Sequence, residues 1–310
     1  LSLKNFGFIS NWAGAGAKAA KTGLQGAISI NSASQEALAT VAEGAVISGL
    51  NDGGADDVVV SATARNDHLK YNGNLVPIVS NGNASAGFSY SEVHLSSKAI
   101  TKIGDGVSIT ADSLDVQASN GGIAISVGAA AASAGKQAVL GSVLNQFIDN
   151  TTHALVGQGT FNITGGGDSA LNVSAYDNSA PVIVVGTFAK GGQASVGASL
   201  GWQEVSRDTV AFFGSSSRGT LGSSVAAVDS AVGGTAAVTG AVQISAKNTG
   251  MHIIVAVAGA KSTPATLVSQ MGSHVGVTGS YGSIDNQDHT LAQIQGFQAL
   301  SADDVSVSAV

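Results

Sequence analysis

Apolar and polar residues alternate strictly in a five-residue phrase, apolar–x–apolar–x–Ala, that occurs five times along the chain. It reads Val58-Val59-Val60-Ser61-Ala62, Leu114-Asp115-Val116-Gln117-Ala118, Leu171-Asn172-Val173-Ser174-Ala175, Val242-Gln243-Ile244-Ser245-Ala246 and Val305-Ser306-Val307-Ser308-Ala309. Successive copies start 56, 57, 71 and 63 residues apart. A period of two with β-branched residues predicts strands with one buried face. Val60, Val116, Val173, Ile244 and Val307 are then expected to form one inward row, with Gln117, Ser174 and Ser245 facing outward. A polar corner follows four copies: Arg65-Asn66-Asp67, Ser119-Asn120-Gly121, Tyr176-Asp177-Asn178 and Lys247-Asn248-Thr249. Asn and Asp tolerate the left-handed backbone of such corners.

Two further elements accompany each phrase. A second alternating run precedes it, as in Glu36 to Val41, Lys98 to Ile103, His153 to Val156, Thr209 to Phe213 and His289 to Ile294. A glycine follows each of these closely, at Gly44, Gly104, Gly157, Gly214 and Gly296. Between the two lies a short strand, clearest as Val107 to Thr110 and Phe161 to Thr164, and the Ser215–Gly240 insert lengthens the fourth unit here. After the polar corner comes a long run of small apolar residues, such as Ile123 to Ala129, then a polar tip and a matching run. Two apolar runs around a Gly/Lys/Asn tip predict a hairpin. Ala and Gly on both faces imply sheets that approach closely. Each unit therefore supplies three short strands and one long hairpin, and cannot bury its apolar faces alone.

The expected fold is all-β: a β-solenoid, right-handed and β-helix-like, of about five stacked 55–70-residue units with long hairpins. The whole of 1–310 is read as a single such region of a longer protein. Its units fall near 1–30 (partial), 31–90, 91–145, 146–202, 203–280 and 281–310 (partial). A long β-sandwich is the rival arrangement.

Composition narrows the function. Only 11% of residues are charged and the net charge is −7 with 13 basic side chains, which argues against a nucleic-acid surface. The 42 glycines and 44% hydrophobic content separate the chain from disordered acidic segments and from helical bundles. Cysteine is absent, which excludes disulfides and thiolate sites. No stretch reaches the ~18 uninterrupted apolar residues of a membrane helix, so no transmembrane segment is expected. The chain opens at Leu1 and stops inside an alternating run, and both ends read as interior to something longer.

The repeats resemble those of very large bacterial exoproteins, the filamentous-haemagglutinin-like adhesins and giant autotransporter passengers. Asn150-Thr151-Thr152-His153-Ala154-Leu155-Val156, Gly106-Val107-Ser108-Ile109-Thr110-Ala111 and the five alternating phrases carry the resemblance. It implies a right-handed β-helical stalk that is secreted or held at the bacterial cell surface. Its work there would be attachment, self-association with neighbouring repeat units, or filament formation.

Candidate chemistry is sparse, and the chain is expected not to be an enzyme and to need no cofactor. Gly165 to Leu171 has the flavour of a calcium-roll phrase but occurs once, whereas such rolls need a nine-residue period. Gly167-Asp168-Ser169 lacks a neighbouring base for an activated serine. His68, His94, His153, His252, His274 and His289 show no metal-ligand spacing and are expected at solvent-facing strand positions. His153 and His289 are expected at matching repeat positions. The pairs Asp56-Asp57 and Asp303-Asp304, beside Asp112 and Asp115, recur at one corner and read as a structural turn. A polysaccharide-active β-helical enzyme or tailspike-like protein is the alternative function, though Trp12 and Trp202 are the only tryptophans, each beside a Gly/Ala run, and Trp202 reads as a local packing or capping residue. Lys21, Lys136, Lys190 and Lys261 recur at the hairpin tips as a candidate surface for an acidic polysaccharide or a host or cell surface. Their plainer role is to oppose sheet-to-sheet aggregation.

Overall fold

The computed structural model describes residues 1–14, 18–19, 21–48, 56–73, 78–80, 83–166, 170–214, 234–262 and 275–310. The chain makes five passes through three sheets, A, B and C. The first pass is β1 (Ser2–Gly14) and β2 (Lys18–Ala19) in sheet A, β3 (Thr22–Val41) in B and β4 (Val46–Ser48) in C. The second is β5 (Asp57–Gly73), β6 (Ile78–Ser80), β7 (Ala84–Ile103) and β8 (Val107–Ala111). The third is β9 (Ser113–Gly121), β10 (Ile123–Ala134), β11 (Gln137–Val156) and β12 (Gly159–Ile163). The fourth is β13 (Leu171–Asp177), β14 (Ala180–Gly191), β15 (Ala194–Phe213) and β16 (Gly234–Val238). The fifth is β17 (Ala241–Asn248), β18 (Ile253–Ser262), β19 (Val275–Ile294) and β20 (Phe297–Ser301), after which β21 (Asp304–Ala309) returns to sheet A. Among the described residues no helix is long and apolar enough to cross a membrane.

Every strand pairing among the described residues is parallel, and the strands sort into three parallel sheets, which corrects the expected stacked β-solenoid with long hairpins. The two arms read as one hairpin lie in different sheets: β10 pairs with β5, β6 and β14 in A, while β11 pairs with β7 and β15 in B. The tip is thus a bend between sheets. A local alternating run with a polar tip suits a hairpin, but pairing with equivalent arms in the neighbouring passes satisfies both edges of each arm. The architecture is three all-parallel sheets, with strands of 20 residues in sheet B where short ones were expected. The expected unit boundaries at 31, 91, 146, 203 and 281 all fall inside those sheet-B strands.

Val60, Val116, Val173, Ile244 and Val307 occupy one ladder as expected, but Val307, on the edge strand β21, is 47% exposed rather than inward. The first four are at most 2% exposed. Sheets A, B and C enclose one core from these four residues, Ile109 and Ile163 of C, and Ile103 and Val156 of B. Phe161 and Phe213 meet edge-on in it, centroids 5.2 Å apart, and Phe213 lies 4.4 Å from Phe297. Beyond the corner only A and B face each other, and small residues let them close. A Cβ on Gly128 would come within 3.3 Å of both Leu144 Cδ1 and Ser142 Oγ. The connection from B to C needs glycine for its backbone too: Gly44, Gly214 and Gly296 have φ of 69°, 110° and 77°.

Candidate functional site

Sheet B turns one face to sheet A and the other to solvent. On the solvent face the parallel register gathers distant residues into rows running across the strands. One row is Ser32, His94, Phe147, Glu204 and Asp285; two residues further on is Ser34, Ser96, Asp149, Ser206 and Gln287. These rows border a groove of about 460 Å³ that crosses β3, β7, β11, β15 and β19.

The groove has an ordered aromatic and acidic wall. The His94 ring stacks on Phe147, with centroids 4.6 Å apart and planes inclined by 11°. Its Nε2 lies 2.6 Å from Glu92 Oε1, and the Tyr90 hydroxyl donates to Glu92 Oε2. Hydrogen bonds from Tyr90 and His94 hold the Glu92 carboxyl below the usual range. The side chains of Asp149 and Glu204 have no hydrogen bond or ion pair among the described residues. Trp202 stands in the flanking row with Glu92 and Asn145 and is 41% exposed. It presents a surface ring, where a local packing or capping residue was expected. Trp12 lies among residues whose side chains are not described.

A second group of polar residues lies between sheets A and B. Ala64, Asn120, Asp177 and Asn248 share one ladder, and Ser97, Asn150, Arg207 and Asp288 share the facing one. Ser97 Oγ donates to Asn120 Oδ1 at 2.7 Å, and Asn150 Nδ2 to Asp177 Oδ2 at 3.0 Å. Arg207 donates through Nε to Asp288 Oδ1 at 2.8 Å and through Nη2 to Asp288 Oδ2, and the same Nη2 contacts His252 Nε2 at 3.1 Å. Burial pushes the Asp177 carboxyl up despite the Ser179 and Asn150 hydrogen bonds and the nearby Arg207 charge. Burial and the Arg207 charge push His252 down. The corner residues Asn120, Asp177 and Asn248 therefore bond across to sheet B, whereas Asp67 bonds Arg65 and Ile123 N within sheet A, and β5 runs through its corner unbroken.

The histidines divide among environments. His68 is buried, 2% exposed, between the sheets, contrary to the expected solvent position. His153 pairs in register with Val210 and Leu291, and His289 with Asp208, so the two are not at matching positions. Both nevertheless approach Asp208, at 2.8 Å and 3.3 Å. His274 lies outside the described residues. No group of three or more His, Cys, Asp or Glu among the described residues is arranged to hold a metal ion. Asp56 and Asp112 bond across passes: Asp56 N donates to Asp112 Oδ2 at 3.2 Å, as a structural corner requires. Gly167, Asp168 and Ser169 lie outside the described residues, as do residues 215–233 of the insert.

The four lysines are all exposed, but they form two rows. Lys190 and Lys261 are direct ladder partners in sheet A. Lys21 and Lys136 sit at the bend, with Asn83 in the equivalent place between them: Ala84 N donates to Lys21 O, and Gln137 N to Asn83 O. Part of the tips at Asn81-Gly82 and Thr263-Pro264 lies outside the described residues.

The groove and the buried polar ladders escape sequence reading because their members sit one per pass. Offsets of the alternating phrases do contain the signal. His94, Phe147 and Glu204 are separated by 53 and 57 residues, close to the period of the passes. Compared with protein families, curated proteins and solved structures, the chain matches none.

Proposed function

We propose that this chain is a structural and adhesive segment of a large secreted or cell-surface bacterial protein, acting in attachment, self-association or filament formation. The observation that carries this reading is the unbroken parallel register of five 20-residue strands in sheet B. Among the described residues nothing pairs with the outer edge of β3 or of β19. Each edge therefore offers a long row of unpaired N–H and C=O groups of matching length, and a parallel ladder extends by adding strands without a new core. The low charge of the chain leaves little repulsion to oppose such growth.

Sedimentation velocity across a wide concentration range, with electron microscopy of the same samples, tests this. End-to-end oligomers of constant width and unchanged β-sheet circular dichroism are expected. A monomer at every concentration that is also not retained on bacterial or abiotic surfaces would overturn the proposal.

A further inference from the structure

We propose that the groove across sheet B binds an extended glycan bearing free, protonated amino groups, a glucosamine-type polymer. Shape comes first. The groove crosses five parallel strands, so a chain lying in it meets an equivalent position at about every 4.8 Å. Its chemistry is mixed in the way a sugar requires. The mutually stacked His94–Phe147 pair puts an aromatic ridge in the groove wall against which sugar C–H groups can pack, with exposed Trp202 flanking it. Ser34, Ser96, Ser206 and Gln287 place hydroxyl and amide groups along the adjoining row.

Charge then selects among glycans. The side chains of Asp149 and Glu204 are without partners among the described residues, and no Lys or Arg lines the groove. An ammonium group complements that wall, whereas a uronate or a sulfate is repelled by it. The groove is therefore the opposite of the acidic-polysaccharide surface expected at the lysine tips. A basic peptide has less to hold it here. The strands β7, β11 and β15 are paired on both sides, so their backbone is unavailable for strand addition.

Three oligomers distinguish the outcomes by calorimetry and by Trp202 fluorescence: a glucosamine hexasaccharide, its fully N-acetylated counterpart, and hexalysine. The glucosamine oligomer is expected to bind, with affinity falling as salt rises, and to bind at least roughly tenfold tighter than the N-acetylated one. Asp149→Asn with Glu204→Gln is expected to weaken it at least roughly tenfold, and Phe147→Ala to weaken both glycans. These side chains lie on the solvent face, and circular dichroism verifies that each variant is folded; Phe147→Tyr, which keeps the ring, is expected to retain binding. Absence of binding to the wild-type chain, or unchanged affinity in the double variant, overturns the proposal. Tighter binding of hexalysine overturns the glycan assignment. The groove variants leave the edges of β3 and β19 intact, so failure here is separable from failure of the self-association reading.

Discussion

Lys70 offers the sharpest test of how the two facing sheets are held. Its side chain is fully enclosed, 0% exposed, and its Nζ donates to Ser29 O at 2.9 Å and Glu92 O at 2.7 Å. Burial lowers its pKa from 10.5 to about 8, against a smaller upward pull from Glu92. That displacement corresponds to roughly 3 kcal/mol of stability withheld while the amine is charged. Because the folded value is depressed, the stabilising contribution is complete above pH 10.5 and is lost as pH falls through about 8. The register shows what the site accepts: the same ladder position holds Ser126, Ile183 and Ile254 in later passes. Lys70→Met removes the charge and keeps the length, at the loss of two hydrogen bonds worth roughly 1.5–3 kcal/mol each as charge-assisted bonds. The two effects oppose each other at neutral pH, so the pH slope is the decisive reading. Urea midpoints followed by circular dichroism between pH 8 and 10.5 should rise in the wild type relative to Lys70→Met, by up to roughly 3 kcal/mol. Parallel curves for the two proteins would refute the reasoning.

Other consequences are as direct. Phe161→Ala should destabilise by about 3–5 kcal/mol in denaturant titration, because a side chain 1% exposed loses its contact with Phe213. Gly122→Ala should prevent accumulation of folded protein: φ is 133° and the new Cβ would lie 2.1 Å from Asn66 O, so recovery of soluble, fully stable protein would contradict the described corner. Asp177 has its carboxyl pushed up by burial. Its share of stability is therefore complete below 3.8 and is lost as pH rises through the raised folded value, and Asp177→Asn should flatten that acid-side slope in pH-dependent unfolding. Lys190→Glu should convert a like-charge ladder contact with Lys261 into an attractive one, raising stability by roughly 0.2–1 kcal/mol at low salt and less at high salt.

Local pattern carried as far as the single strand and stopped at the partner. The alternation in Leu114-Asp115-Val116-Gln117-Ala118 specifies which side chains point inward, and the ladder Val60–Val116–Val173–Ile244–Val307 follows from it. The same alternation in Ile123 to Ala134 and Gln137 to Val156 is silent about whether the two arms pair with each other. Hydrogen-bonding demand decides that, since an arm inside a parallel sheet satisfies both edges through its neighbours in other passes. The groove was illegible for a related reason. His94, Phe147 and Glu204 look like scattered surface residues until the register sets them on adjacent strands. Trp202, bordered by glycine in the sequence, gains its neighbours Asn145 and Glu92 only through the same register.

The buried polar ladders explain why one register is chosen in a region built from Ala, Gly and Ser. A slip of one residue would turn every inward side chain outward and is excluded by burial alone. A slip of two residues keeps the faces, and against a row such as Ala130, Ala132 and Ala134 it would change packing little. Such a slip of β11 would, however, separate Asn150 from Asp177 and Gln146 Nε2 from Ala124 O, 3.1 Å away, and one of β7 would separate Ser97 from Asn120. Each buried polar group left unpaired costs roughly 1–3 kcal/mol. Several such losses in one slip exceed what small apolar contacts distinguish, so the polar residues select the alignment that the apolar ones merely permit. That selection is also what puts Phe147 beside His94 and Glu204 on the opposite face, because the two faces of one strand share a single register. The internal Asn, Asp and Gln bonds thereby fix the geometry of the groove outside.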